Sequence, residues 1–80
     1  MKKVEWLKKA NELHTECLYQ INTRNGSKPC TNEEVKLFQN LNKVLGVQLS
    51  VHACRYYNLK ESLDKSIAWA KSGQKDKRFN

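Results

Sequence analysis

The side chains of this sequence suited to metal or thiol chemistry are Cys17, Cys30, Cys54, His14 and His52. His14 and Cys17 lie three residues apart, a spacing that puts both on one helix face within reach of a single zinc ion. Cys30, His52 and Cys54 are the remaining candidate ligands. The pattern nevertheless argues against zinc, because His52 and Cys54 are two apart and would point to different sides of a helix, whereas structural zinc sites repeat tight ligand pairs. An odd number of irregularly spaced cysteines is equally a poor disulfide framework, so reduced, metal-free thiols are expected.

Catalysis finds no better footing. Cys17 and His14 would serve as thiolate and base only beside an oxyanion site and a concave pocket, which a small helical hairpin rarely offers. Glu12 and Glu16 fall on a lysine-lined outer face where nothing would raise a carboxylate pKa for acid catalysis. Gly26-Ser27-Lys28 lacks the second glycine, the Lys-Ser/Thr pair and the preceding strand of a phosphate loop. Asn25-Gly26-Ser27 fits the glycosylation pattern, but so short a motif arises readily by chance. The expectation is a protein that is not an enzyme and needs no cofactor.

The elements that carry these residues read as helices. From Lys3 to Asn22 the residues Leu7, Ala10, His14, Cys17, Leu18 and Ile21 form one stripe at 100° per residue, widened by Trp6 and Leu13. Arg24-Asn25-Gly26 stops this helix, with Gly26 suited to a left-handed cap, and Pro29 marks the following stretch as a loop. Thr31-Asn32-Glu33-Glu34 is a capping box that opens a second helix over roughly 32–45. Its stripe is Leu37, Phe38, Leu41, Val44 and Leu45, and Gly46 ends it.

Ser50 would cap a short third helix to Tyr57, with Val51, Cys54 and Tyr57 turned inward and His52, Arg55 and Tyr56 outward. Asn58 would open a fourth, bearing Leu59, Leu63, Ile67 and Ala70 and stopped by Gly73, the alternative being one continuous helix through Asn58. The predicted fold is thus all-α, a small bundle of about four helices. The first two pair antiparallel, a helix-turn-helix-like corner packs across them, residues 1–73 form one domain and 74–80 a basic mobile tail.

With 80 residues, 39% of them hydrophobic, the chain supports one small core and no second domain. No apolar run approaches a membrane span, and Lys2-Lys3 lead into Glu5 and Lys8-Lys9 instead of a signal-peptide apolar region, so a soluble cytoplasmic protein is expected. The formal net charge is +7, and it is uneven: residues 10–50 are neutral, while the excess lies in 1–9 and 51–80. If the two ends of the chain meet, they form one basic surface suited to nucleic acid or an acidic protein.

Two functions follow as expectations. In the first, a nucleic-acid-binding regulator reads DNA through the short third helix, with Gln48, Ser50, His52, Arg55 and Tyr56 at the groove. Lys2, Lys3, Lys75, Lys77 and Arg78 then neutralise phosphates. In the second, an adaptor or inhibitor of the kind carried by phages and mobile elements docks on a larger host protein through an aromatic and basic face, with Tyr19 and Trp69 as anchors.

Overall fold

A computed structural model describes residues 1–47 and 54–79, and among these the chain is all-helical. Helix α1 spans Lys3–Asn22, α2 Asn32–Leu45 and α3 Tyr56–Lys71, and a single 3-10 turn follows at Asp76–Arg78. The expected count of about four helices is therefore corrected to three among the described residues. The reason lies at the start of α3: Arg55 is extended and forms an antiparallel bridge with Pro29, so helical winding begins at Tyr56 and runs straight through Asn58. Of the predicted helix from Ser50 to Tyr57, residues 50–53 lie outside the described residues, Cys54 and Arg55 are not helical, and Tyr56 and Tyr57 belong to α3.

The capping chemistry of α2 is as read from sequence. The Glu34 amide donates to Thr31 Oγ1 at 3.2 Å and the Thr31 amide to Glu34 Oε1 at 2.9 Å, while Gly46 closes the helix in the left-handed conformation at φ 69°. The end of α1 is built otherwise than expected. Arg24 takes the left-handed φ of 66°, and Gly26 is needed for a different reason. Its missing side chain makes room for the Tyr57 ring, into which a Cβ placed there would run.

Two buried clusters fix the topology. Leu13 and Cys17 of α1 meet Phe38 of α2 and Tyr56, Leu59 and Leu63 of α3. Trp6 and Ala10 meet Leu41, Leu45 and Ala70. Both α2 and α3 therefore run antiparallel to α1 and parallel to each other, so α3 starts at the opposite end of the molecule from where α2 stops. A tight corner cannot join two such helices. The expected antiparallel pairing of α1 with α2 is present, and the most extensive packing is between α1 and α3.

The face of α1 that is buried centres on Trp6, Ala10, Leu13 and Cys17, rotated by about 60° at 100° per residue from the stripe read off the sequence. Leu18 is left on the surface. The displacement follows from packing against two helices on one side, which draws Trp6 and Leu13 inward. Among the described residues no helix is long and apolar enough to cross a membrane.

Candidate nucleic-acid interface

The antiparallel course brings three separate parts of the chain to one end of the molecule: the start of α1, the end of α2 and the residues after α3. Lys3 Nζ lies 2.8 Å from Asp76 Oδ1, and the Phe79 ring stands edge-on to Trp6 with centroids 6.1 Å apart. Phe79 joins the Trp6 cluster as a partly buried residue. The Arg78 guanidinium covers Gly46, its Cζ 2.9 Å from where a Cβ would stand. Residues 74–79, expected as a mobile tail, thus carry a 3-10 turn and several contacts to the helices.

This end gathers cations for a physical reason. The C-termini of α2 and α3 both point here, and the partial negative charge of a helix C-terminus favours basic groups, while Lys2 and Lys3 stand at the N-terminus of α1, where the dipole opposes them. Lys43 lies in the last turn of α2 and Lys71 in the last turn of α3. Lys2, Lys77 and Arg78 are exposed and Lys75 is half-buried. Of the five terminal cations named from sequence, Lys3 is the one with an acidic partner among the described residues. The two chain ends meet in the structure, and Asp76 and Phe79 are the residues that secure the contact.

At the other end lie the two predicted reading residues that the structure describes, Arg55 and Tyr56. Gln48, Ser50 and His52 lie outside the described residues. Arg55 is exposed, but its Nη1 donates to the Ser27 carbonyl at 2.6 Å. Tyr56, expected outward, is buried at 4% exposure and donates its hydroxyl to Glu34 Oε1 at 2.7 Å; Tyr57, expected inward, is 51% exposed. The inversion follows from starting the helix at Tyr56, which puts that residue in line with Leu59 and Leu63 on the inner face of α3. Burial first, then the hydrogen bond to Glu34, pushes the Tyr56 hydroxyl pKa upward. Glu34 thereby serves two elements, capping α2 and anchoring the first turn of α3.

His14, one of the metal candidates, is engaged with α3. His14 Nε2 donates to Asp64 Oδ1 at 2.7 Å, with Lys60 Nζ 2.8 Å from the other carboxylate oxygen. Burial works to raise the Asp64 pKa, but the hydrogen bonds from Lys60 and His14 outweigh it and hold the carboxyl below its usual range. Among the described residues no three His, Cys, Asp or Glu side chains are placed to share a metal ion. Cys17 is fully buried, and desolvation together with the neighbouring Cys30 and carboxylates pushes its thiol up to about 12. It is a core residue and a poor nucleophile.

Of the proposed aromatic anchors, Tyr19 is 61% exposed on the outer face of α1, and Trp69 is half-buried. Sequence reading missed a buried polar pair: Ser66 Oγ donates to Asn42 Oδ1 at 2.7 Å between α3 and α2. Trp6 also donates its indole N–H to the Leu41 carbonyl at 2.9 Å, joining α1 to α2. Comparison with protein-family models, with curated proteins and with solved structures gives no significant match. What the basic end offers is a set of cationic side chains, Lys75, Lys77 and Arg78 beyond the C-terminus of α3 and Lys2 and Lys3 at the N-terminus of α1.

Proposed function

We propose that this chain is a small basic module that binds nucleic acid through its phosphates, using the composite end formed by Lys2, Lys3, Lys75, Lys77 and Arg78. The observation that carries this reading is the joining of the chain ends by the Lys3–Asp76 pair and the Trp6–Phe79 contact, which concentrates cations distant in sequence. Such contacts give affinity without sequence preference. Base readout by Arg55 is a weaker part of the proposal, since its guanidinium would first have to leave the Ser27 carbonyl.

The test is binding to duplex DNA of random sequence across a salt series. With Lys2, Lys75, Lys77 and Arg78 each neutralising a phosphate, log Kobs should fall with log salt at a slope of about −3 to −4. A slope near zero would remove the reading. The second function, an adaptor or inhibitor docking on the acidic surface of a larger protein, is favoured by the exposure of Tyr19 on the outer face of α1. Under that reading Tyr19→Ala abolishes a protein complex, and DNA affinity stays weak whatever the salt.

A further inference from the structure

The end of the molecule away from the basic surface holds a second chemical feature. The bridge between Pro29 and Arg55 is antiparallel, and it is flanked by two backbone hydrogen bonds, from the Cys30 amide to the Cys54 carbonyl and from the Tyr56 amide to the Lys28 carbonyl. In that register Cys30 and Cys54 stand directly opposite each other. Opposed residues of an antiparallel pair project to the same face, and where they exchange both backbone hydrogen bonds their Cα atoms are about 5.5 Å apart; here the Cys30 amide makes one of the two. This lies inside the Cα separation of roughly 4.4 to 6.8 Å that a disulfide spans, while the Cβ atoms of such a pair, about 5.5 Å apart, must close by about 1 Å to reach the roughly 3.5 to 4.5 Å of the bond. The register is held from a third side by the Arg55 guanidinium on the Ser27 carbonyl. Both thiols are free and partly buried, whereas Cys17 is fully enclosed in the core.

We propose that Cys30 and Cys54 form a redox-active pair, which closes to an intramolecular disulfide by exchange with a low-molecular-weight disulfide of the glutathione type. One cysteine thiolate attacks a sulfur of the small disulfide, forming a mixed disulfide and releasing one small thiolate. The second cysteine, as thiolate, then attacks the cysteine sulfur of the mixed disulfide and releases the other small thiolate. The protein loses two electrons and two protons, and the small disulfide gains both to become two thiols. The bond ties the loop after α1 to the start of α3. It is reversed by excess small thiol. Desolvation, with Glu34 and Cys54 nearby, pushes the Cys30 thiol up to about 11, so thiolate is scarce at neutral pH and exchange quickens as pH rises.

The experiment is incubation of the full chain with oxidised glutathione at pH 8, alkylation of residual thiols, and tryptic mapping without reduction. The expected product is 2 Da lighter than the reduced chain, with peptide 25–36 joined to peptide 44–55 and Cys17 alkylated within peptide 10–24 once the chain is unfolded. Cys17→Ala should give the same link, and its circular dichroism reports whether it is folded. Cys30→Ser should leave a stable glutathione adduct on Cys54 in place of the 2 Da loss. A link between peptides 10–24 and 25–36, or stable glutathione adducts on both Cys30 and Cys54 of the unaltered chain, would overturn the proposal.

Discussion

The two ends of this bundle are fastened by different physics. At the loop end the contacts are directional and partly withdrawn from water: the buried Tyr56 hydroxyl on Glu34, the bridge between Pro29 and Arg55, and the Tyr57 ring laid on Gly26. At the basic end an apolar cluster around Trp6 is overlaid by exposed charges, and the Lys3–Asp76 pair that closes it is of the solvent-facing kind usually worth no more than about 1 kcal/mol. The first end is built for position and the second for charge. Under the proposed reading, a surface that meets phosphates gains from cations that are not locked in strong internal pairs.

Core truncations should produce the largest effects and show whether the two ends are comparably rigid. Phe38→Ala at the loop end is expected to cost about 3 to 5 kcal/mol and Leu41→Ala at the basic end about 2 to 5 kcal/mol. A chain of this length has a total stability of roughly 4 to 12 kcal/mol, so either variant can unfold it. Chemical denaturation gives the comparison directly. A loss under about 1 kcal/mol at either site would mean that end is not tightly packed.

Next in size is the alkaline limit, which belongs to the loop end alone. Cys17 and Cys30 have thiols pushed up from about 9 to about 12 and about 11, chiefly by burial. A pKa raised on folding leaves stability undiminished below the unfolded value and erodes it above, since the unfolded chain then releases protons that the folded chain retains. Stability should hold to about pH 9 and then fall by up to about 1.4 kcal/mol per pH unit for each group, until pH passes about 11 to 12. Cys17→Ala should make that decline shallower by one group. Urea midpoints from pH 8 to 11 measure it, and identical profiles for the two proteins would mean the Cys17 thiol is not shielded as described.

Smaller again is the hydrogen bond between Ser66 and Asn42. Ser66→Ala would leave the Asn42 side-chain oxygen buried without its donor, at a cost of about 1 to 3 kcal/mol by denaturation. This pair also marks where the sequence ceases to be legible. The span of α1, the capping box at Thr31 and the stop at Gly46 follow from local chemistry, and each is met in the structure. Which polar residue is buried depends on what another helix presents to it, and a single helical pattern holds no such information. Serine at position 66 reads as surface until Asn42 is placed against it.

The same distinction explains the candidate site. That charge accumulates at both chain ends is visible from residue counts, and the antiparallel course of α2 and α3 against α1 turns it into one surface. The expected reading helix failed on a register: because Arg55 pairs with Pro29, the inward and outward tyrosines at 56 and 57 exchange places. A pairing 26 residues away in sequence leaves no trace in the local pattern around Tyr56.

The smallest expected change in stability carries the sharpest functional consequence. Asp76→Asn removes the acidic partner of Lys3 at an exposed site and should alter stability by no more than about 1 kcal/mol. It also takes one negative charge from the basic end and frees the Lys3 ammonium for a phosphate. If that end binds nucleic acid, affinity for random duplex DNA should rise and the salt slope should steepen by about one unit. Lys75→Ala should do the reverse, weakening all sequences alike and flattening the slope by a similar amount. The equivalent change at the other end, Arg55→Ala, should loosen the Ser27 contact and leave the slope unaltered, because phosphate binding in this reading belongs to one end of the bundle. Titrations of the three variants at several salt concentrations separate the cases: if Asp76→Asn leaves the slope unaltered while Arg55→Ala flattens it, the interface has been assigned to the wrong end.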